Sequence, residues 1–237
     1  MNKSKYIIKD INKSYKVDLE DHVVLNNINL EISSEDVTVI LGESGCGKTT
    51  LIRIIAELET QSSGEVTFFK NGEISKAKVG MVFQESRLMP WLTVSENIAF
   101  HKKASLDKID FYLDMMKLKK FNKLYPHELS GGMAQRVSIA RALSFEPDFL
   151  IMDEPFSALD YFTRRDMQKE VLSIHKNTGK GIIFVTHDID EAINIASRII
   201  IFTKDKEIKE ITINKDFNSS CKFDIKNQIL ETMSLNK

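Results

Sequence analysis

The sequence has few of the features that mark secreted or membrane-spanning proteins. Its 237 residues include two cysteines, Cys46 and Cys221, which are too few and too far apart for a disulfide framework or a zinc site. No stretch approaches about 18 uncharged apolar residues, and the lysines at the start are not followed by an apolar segment. The composition therefore predicts a protein of a reducing compartment that is neither exported nor membrane-spanning.

An excess of charge of one sign is also missing. The chain has 33 basic and 34 acidic residues, a formal net charge of -1, so no general attraction to nucleic acid or anionic lipid is expected. Its hydrophobic fraction of 42% is ample for a sizeable core. The bulk properties predict one large domain, or one domain with a subdomain inserted in it.

Glycine is scarce, yet three of the ten glycines lie within six residues at 42–47, in the stretch VILGESGCGKTT. The β-branched run DVTVIL at 36–41 precedes them and predicts a strand that is buried on both faces. The apolar residues after them keep the spacing of one helix face: Leu51, Ile54, Ile55 and Leu58. Strand, glycine loop and helix are thus predicted in direct succession.

The loop GESGCGKT at 42–49 matches the pattern G-x-x-x-x-G-K-[ST]. Glycines allow backbone angles closed to other residues and let N–H groups approach phosphate oxygens. Lys48 offers a point charge to the β- and γ-phosphates, and Thr49 offers a hydroxyl to Mg²⁺. The alternative is a glycine-rich turn without a ligand, but the flanking strand and helix favour a nucleoside triphosphate site. The predicted cradle comprises Gly42, Glu43, Ser44, Gly45, Cys46, Gly47, Lys48, Thr49 and Thr50.

The rest of the chain alternates between strand and helix patterns. Short strands are predicted in the first 35 residues, where an apolar period of two runs through Val24, Ile28, Leu30 and Ile32 with a break at Asn26. Further strands are predicted for EVTFF at 65–69, KVGMVF at 78–83, FLIM at 149–152, GIIFVT at 181–186 and RIIIFT at 198–203. Such alternation predicts an α/β core with a parallel sheet and helices on both faces.

Helical patterns dominate from Glu85 to Ser144. Thr93 and Glu96 have the spacing of a capping box. One helix face is predicted at Ile109, Tyr112, Leu113 and Met116, and a later helix runs through Met167, Val171 and Ile174. The two halves of the core therefore flank a mostly helical insertion.

The strand FLIMDEP at 149–155 ends in two adjacent carboxylates. Asp153 fits a ligand of Mg²⁺, directly or through water, and Glu154 fits a general base that polarises a water attacking the γ-phosphate. The alternative is a solvated strand end followed by a proline turn. Behind a phosphate loop, the catalytic interpretation is the better one.

The stretch LSGGMAQR at 129–136 predicts a second helix N-terminus suited to an anion. One nucleotide does not need two phosphate cradles in one subunit. The second cradle is therefore predicted to serve a nucleotide held by a partner chain.

Five motifs in this order and spacing resemble the nucleotide-binding subunit of ATP-binding-cassette (ABC) transporters. They are the phosphate loop, VFQ with Gln84, LSGGM at 129–133, FLIMDEPFSALD ending at Asp160, and VTHD with His187, and the match runs from about Lys5 to Thr203. The resemblance implies a P-loop NTPase (RecA-like) parallel-sheet core with an N-terminal antiparallel β subdomain and an inserted α-helical subdomain. It implies one domain over 1–237: core with β subdomain at 1–84 and 145–205, helical subdomain at 85–144, and a tail without an assignable pattern at 206–237.

The resemblance also implies roles for individual residues. Tyr15 would stack on adenine, although an ordinary strand tyrosine is the alternative. Gln84 would touch Mg²⁺ and the attacking water and would report the nucleotide state to the membrane partner. Asp160 would contact the partner's phosphate loop, and His187 would steady the γ-phosphate and Glu154.

The remaining implied residues complete the site. The signature residues would close over the γ-phosphate on the opposite subunit: Ser130, Gly131 and Gly132. The catalytic set implied by the resemblance is Glu154, His187, Gln84 and Lys48. The implied Mg²⁺ ligands are Thr49, Gln84 and Asp153, and the implied cofactors are ATP and Mg²⁺.

At the level of function, the resemblance implies two chains that meet head to tail, trap two Mg-ATP and drive separate integral-membrane permease subunits from the cytoplasmic face of the membrane. An extracytoplasmic solute-binding protein would act indirectly, and no nucleic acid is expected. The stretch SRLMPWLTVSENIAF at 86–100 resembles that of the subfamily serving importers of nitrate, sulfonates, taurine and related small molecules. Trp91 and its neighbours could equally pack within the helical subdomain. The rivals are a soluble cassette ATPase acting on DNA or the ribosome, and a regulatory module without turnover, which Glu154 and His187 disfavour.

Overall fold

The computed structural model describes residues 3–17, 20–101, 106–203, 207–213 and 219–234. No helix in these ranges combines the length and the apolar character that crossing a membrane requires. In chain order the elements are β1 Ser4–Val17, β2 Glu20–Ser33, β3 Val37–Gly42, α1 Lys48–Ile55, β4 Ser63–Lys70, β5 Glu73–Ile74, β6 Val79–Val82, α2 Val94–Ile98, α3 Leu106–Met115, α4 Gly131–Ser144, β7 Phe149–Asp153, α5 Tyr161–Thr178, β8 Gly181–Thr186, α6 Ile189–Ile195, β9 Arg198–Phe202, β10 Ile208–Thr212 and α7 Ser219–Ser234.

The larger sheet carries the site. Its strand order is β10-β9-β3-β8-β7-β6, and every neighbouring pair is parallel except β9 with β10. The carboxyl ends of β3, β6, β7 and β8 therefore meet at one edge of the sheet, where α/β proteins bind ligands. The predicted α/β fold with a parallel sheet is confirmed.

The central strands of this sheet are buried on both faces, which explains their uninterrupted apolar runs. Alternate side chains pack on two separate cores, as the period of two requires. The core shared with α2 to α7 receives Val37, Val39, Leu41, Leu150, Met152, Ile182, Phe184, Ile199 and Ile201. The core shared with α1 and the second sheet receives Ile40, Phe149, Ile151, Ile183, Val185, Ile200 and Phe202.

The second sheet is antiparallel, with the order β2-β1-β4-β5, and β1 and β2 are long strands of 14 residues rather than the predicted short ones. The predicted inward position of Val24 is wrong, because Leu25 is fully buried there and Val24 is half-buried. Three steps from Ile28 to Leu25 oppose only two steps on β1, and this bulge reverses the alternation.

Helix α1 is shorter than its apolar pattern predicted. It ends at Ile55, and Glu57 then adopts a left-handed φ of 56°. Leu58 lies beyond this turn with 59% of its surface exposed, so its predicted place on the helix face is wrong. The three other predicted residues of that face are buried: Leu51, Ile54 and Ile55.

The capping box predicted at Thr93 and Glu96 is present at the start of α2. Glu96 N donates to Thr93 Oγ1 over 3.3 Å, and Thr93 N donates to Glu96 Oε2 over 2.8 Å, which completes the capping box of α2. The predicted apolar face of α3 is buried: Ile109, Tyr112, Leu113 and Met116. Trp91 precedes α2 with 70% of its surface exposed, so its interpretation as a packing residue is wrong.

Part of the C-terminal tail folds back on the domain, although its sequence showed no assignable pattern. Strand β10 pairs with β9 at the sheet edge, and Ile229 of α7 is fully buried in the helix-side core. Residues 204–206, 214–218 and 235–237 of the tail lie outside the described residues, as does the side chain of Cys221.

Gly181→Ala should destabilise the fold, because a Cβ at this position of β8 would lie 2.3 Å from Phe149 Cε1 in the buried core. We expect a loss of about 1–3 kcal/mol in the free energy of unfolding, as for other overpacked cores. Urea unfolding of both proteins measures this loss.

The matched control is Gly179→Asn at the C-cap of α5. Gly179 has a φ of +63° and open space around a Cβ, and asparagine tolerates the left-handed region. An equal loss in both variants would show that the effect of Gly181→Ala does not come from Phe149.

Candidate functional site

The phosphate loop joins β3 to α1 and needs glycine at defined positions. Gly45 and Gly47 have φ values of 83° and 104°, in the left-handed region that favours glycine. A Cβ on Gly42 would lie 2.8 Å from Cys46 Sγ and 3.0 Å from the Phe202 carbonyl oxygen, so a side chain there would force both neighbours to move. The half-buried Cys46 thiol is free, and burial raises its pKa.

Lys48 is held inside the loop at the start of α1, with only 4% of its surface exposed. Its Nζ donates to the carbonyl oxygens of Gly42 and Glu43, both over 2.8 Å. Its Nζ also lies 4.0 Å from Glu154 Oε1. The ammonium group is thus fixed between the loop backbone and the Glu154 carboxylate, which follows β7.

The two carboxylates at the carboxyl end of β7 point to the same edge because the chain turns between them. Glu154 has a left-handed φ of 44°, and its N–H donates to the Val185 carbonyl oxygen over 3.0 Å. This turn breaks the alternation of a strand, which would otherwise separate Asp153 and Glu154 onto opposite faces. Both carboxylates therefore reach the phosphate loop.

Asp153 contacts the loop through Thr49, whose hydroxyl donates to Asp153 Oδ1 over 3.1 Å. Burial raises the pKa of Asp153, while this hydrogen bond and nearby cations oppose the rise. A hydroxyl and a carboxylate side by side are hard oxygen donors, so they fit an Mg²⁺ ion shared with phosphate oxygens. Gln84 is exposed two residues beyond β6, the strand next to β7.

Glu154 also contacts the loop after β8. His187 Nδ1 lies 2.8 Å from Glu154 Oε2, while Lys48 lies near the other carboxylate oxygen. The His187 side chain is 53% exposed. Glu154 therefore stands between a cation and an imidazole that faces solvent, and both can act on a charged substrate at this edge.

Tyr15 lies on β1, close to the first turn of α1. Its hydroxyl donates to Glu59 and lies near the Thr50 side chain, and Lys13 Nζ is 4.8 Å from the centre of its ring. Burial, followed by Glu59, raises the pKa of the Tyr15 hydroxyl. The ring is held by its hydroxyl end while 37% of the residue stays exposed.

The signature residues lie at the start of α4. Ser130 Oγ accepts from Met133 N over 3.3 Å, which caps the helix as predicted from the sequence. A Cβ on Gly132 would lie 2.6 Å from Thr163 Cγ2 of α5, so α4 and α5 approach closely there, while Gly131 is exposed. Among the described residues, no hydrogen bond or ion pair joins 130–132 to the phosphate loop of the same chain.

Asp160 is the N-cap of α5, a structural role that was not predicted from the sequence. Its Oδ1 accepts from Phe162 N and Thr163 N, both over 3.0 Å, and so caps α5. Hydrogen bonds from Thr163 and Phe162 lower the pKa of Asp160. The aspartate directly before a helical pattern was the available signal for this cap.

A clamp between α4 and α5 was also missed. Arg136 reaches Glu170 of α5 with Nη2 to Oε1 over 2.9 Å and Nε to Oε2 over 3.1 Å, and Lys117 lies 3.0 Å from the same carboxylate. This bidentate pair fixes the signature helix α4 against α5. No sequence signal identifies Glu170, because it lies on a different helix far along the chain.

Comparison with known proteins agrees with this arrangement. The family model described as ABC transporter matches residues 25–157. The chain is 44% identical over 216 residues to the aliphatic sulfonates import ATP-binding protein SsuB of Bacillus cereus, covering 88% of this chain and 85% of that protein. It is 43% identical over 196 residues to SsuB of Bacillus subtilis, covering 80% and 76%.

A solved structure shares the fold. The ATP-binding cassette MJ0796, in a dimeric post-hydrolysis state bound to ADP and Pi, superposes with a TM-score of 0.75 at 32% identity, covering 88% of this chain and 99% of that one. The chain therefore belongs to the ABC transporter family as an ATP-binding cassette, the kind of domain that hydrolyses ATP.

Proposed function

We propose that this chain is the ATP-hydrolysing subunit of an importer for aliphatic sulfonates or similar small anionic solutes. The observation that carries hydrolysis is the position of Glu154, which lies 4.0 Å from Lys48 and 2.8 Å from His187 at the phosphate-loop edge. The solute class rests on similarity to proteins named for aliphatic sulfonate import, at 44% identity over 88% of this chain.

The residues of the edge divide the chemistry of hydrolysis. The backbone of 42–49 holds the phosphates, Lys48 neutralises their charge, and Tyr15 stacks on adenine. Glu154 orients and deprotonates the attacking water, and His187 steadies both Glu154 and the γ-phosphate. Such positioning and electrostatic stabilisation are the main sources of catalysis in phosphoryl transfer.

Three side chains hold the metal in this proposal: Thr49, Gln84 and Asp153. Mg²⁺ supplies charge neutralisation on the phosphate oxygens when bound. The contact from Thr49 to Asp153 over 3.1 Å keeps two of these oxygen donors together at the loop.

The working unit is a head-to-tail pair of identical chains. Ser130, Gly131 and Gly132 of one chain close over the nucleotide of the other, and Asp160 contacts the partner's phosphate loop. The described contacts leave the signature and the phosphate loop of one chain without a direct link, as this arrangement requires. The similarity to a dimeric cassette structure supports the same assembly.

The importer's integral-membrane permease subunits bind this chain at the cytoplasmic face, and a solute-binding protein outside the membrane delivers the solute. Gln84 and the exposed Trp91 lie on the segment between β6 and α2, where nucleotide state and partner contact can be coupled. The whole chain acts as one ATPase domain, with 85–144 as the helical part that moves the signature.

The test is a pull-down of tagged Glu154→Gln from detergent-solubilised native membranes with Mg-ATP, with retained proteins identified by mass spectrometry. An integral membrane protein together with a solute-binding protein is the expected result. Tagged Glu65→Gln, altered at an exposed residue of β4, is the control. Recovery of only soluble or nucleic-acid-bound partners would contradict the importer and favour a soluble cassette ATPase.

Tyr15→Ala should weaken ATP binding, because the variant loses the ring proposed to stack on adenine. Stacking of a base on an aromatic side chain contributes about 1–3 kcal/mol, which predicts a loss of roughly 5- to 150-fold in affinity. Tyr15→Phe keeps the ring and should stay within about threefold of the wild type. Isothermal titration with ATP measures both.

The matched control is Tyr125→Ala, at another partly exposed tyrosine on the helical insertion. Wild-type affinity in Tyr15→Ala would instead support the interpretation of Tyr15 as an ordinary strand residue.

A further inference from the structure

A buried acidic residue lies next to the proposed catalytic edge. Glu191 is in α6, four residues after His187, and only 5% of its surface is exposed. Among the residues that the structure describes, no lysine or arginine forms an ion pair with it. Burial raises the pKa of Glu191, with Asp188 adding to the rise and hydrogen bonds and Arg164 opposing it. Burying such a group is costly unless hydrogen bonds satisfy it.

Two hydrogen bonds satisfy the Glu191 carboxyl, and the shorter one comes from Thr186 at the end of β8. Thr186 Oγ1 lies 2.5 Å from Glu191 Oε2, and Gln168 Nε2 lies 3.5 Å from Oε1. The Thr186 hydroxyl also accepts from Asp188 N over 3.0 Å. A hydroxyl has a single proton, so Thr186 donates it to Glu191.

Glu191 also restrains Asp188, on the other side of His187. Glu191 N donates to Asp188 Oδ1 over 3.0 Å, which is the N-cap of α6. Thr186 and Asp188 are therefore both attached to Glu191, one through its side chain and one through its backbone. His187 is the residue between these two attachment points.

His187 depends on this backbone restraint because its own side chain has little packing. The side chain is 53% exposed, and its Nδ1 lies 2.8 Å from Glu154 Oε2. The direction of the imidazole is thus set mainly by the loop backbone. A displacement of about 1 Å in a catalytic group can cost up to roughly 100-fold in rate.

A second link attaches the loop to α5. Arg164 Nη1 lies 3.5 Å from Asp188 Oδ2, and its Nη2 donates to the Leu159 carbonyl oxygen over 3.0 Å. The loop that carries His187 is therefore connected both to α6 and to the segment that leads from Glu154 to α5. Its position relative to Glu154 is determined by these buried and part-buried polar contacts rather than by the exposed imidazole.

We propose that Glu191 is a positioning residue for ATP hydrolysis, which acts through the Thr186 hydroxyl to hold His187 against Glu154. The inference rests on the proposed roles of His187 and Glu154. A merely structural Glu191 would stabilise α6 without affecting how His187 contributes to turnover. The two possibilities differ in whether the effect of Glu191 depends on His187.

The experiment is a double-mutant cycle on the full chain, with kcat and KM for ATP measured for Glu191→Ala, His187→Ala and the combination. We expect Glu191→Ala to lower kcat about 10- to 100-fold with KM within about twofold. In the His187→Ala background the same change should alter kcat by less than about twofold. Asp190→Asn, at the exposed neighbour that pairs with Lys226, is the matched control on α6 and should leave kcat unchanged.

Rescue separates the hydrogen bond from the charge. Glu191→Gln retains an oxygen that accepts from Thr186, so its kcat should stay within about threefold of the wild type. Thr186→Val removes the donating hydroxyl at similar volume and should reproduce Glu191→Ala, and it also serves if Glu191→Ala does not fold. The imidazole ¹⁵N signal of His187, assigned among the five histidines through His187→Ala, should shift in Glu191→Ala but not in Glu191→Gln.

The outcomes separate the two levels of the argument. The positioning role alone would be overturned if the loss of kcat in the double variant equalled the product of the two single-variant losses. An unchanged kcat in both Glu191→Ala and Thr186→Val would overturn it too. Wild-type turnover in His187→Ala would instead overturn the proposed role of His187, and with it this inference.

Discussion

Glu154→Gln is expected to bind ATP with near wild-type affinity while hydrolysing it roughly 10² to 10⁴ times more slowly, the usual contribution of a general base. The amide keeps the size of the carboxylate. Its oxygen can still accept a hydrogen bond from His187 Nδ1, which lies 2.8 Å from Glu154 Oε2 in the wild type. It removes the negative charge beside Lys48 and cannot take a proton from water. Binding and turnover should therefore separate in this variant.

The same variant should accumulate as a dimer in Mg-ATP, because the closed pair is proposed to separate only after hydrolysis. Size-exclusion chromatography and a phosphate-release assay measure the two effects. Glu65→Gln should match the wild type in both. Hydrolysis at the wild-type rate in Glu154→Gln would remove Glu154 from the role of general base.

Lys48→Met should lose mainly affinity for ATP, whereas Glu154→Gln should lose mainly the rate of hydrolysis. Only 4% of the Lys48 surface is exposed, and its Nζ donates to two carbonyl oxygens of the loop over 2.8 Å, which holds the charge inside the proposed phosphate cradle. Hydrogen bonds to charged groups contribute about 1.5–3 kcal/mol, so the affinity for ATP should fall roughly 10- to 150-fold. Isothermal titration with ATP and Mg²⁺ measures the loss.

Lys70→Met is the matched control, because Lys70 forms a 2.8 Å ion pair with Asp148 outside the phosphate-loop edge. It should leave the affinity for ATP unchanged. If Lys48→Met bound ATP as tightly as the wild type, the glycine loop would not hold phosphates in the proposed way. Thermal unfolding of both variants would show whether a lower affinity reflects a damaged fold.

Elements with strong local signals were predictable. The apolar run of β3, the glycine positions with left-handed φ and the Thr93 capping box all depend on residues close together in the sequence. Errors occurred where a local break interrupts a periodic pattern, as at the β2 bulge that buries Leu25 and at the turn that excludes Leu58 from α1. The apolar pattern of the sequence continues through such a break, but the residues beyond the break no longer lie on the same face of the element.

The tail shows a different limit. The described parts of the tail form β10 and α7, which are stable because they pack on β9 and bury Ile229, not because of a marked local pattern. Most helices and strands depend on such tertiary packing for their stability. A weakly patterned segment can therefore fold without a signal that the sequence alone makes visible.

By itself, the sequence determined which residues could bind phosphate and metal, because Lys48 follows the glycines directly and Asp153 and Glu154 are adjacent at a strand end. Only the tertiary structure decided which distant groups lie in contact. His187 meets Glu154 because β7 and β8 are parallel neighbours, and Glu191 reaches Thr186 because α6 turns back on the loop after β8. The chemical character of a short motif depends on residues that are adjacent in the chain. The pairs His187–Glu154 and Glu191–Thr186 form only when the folded sheet brings its strand ends to one edge.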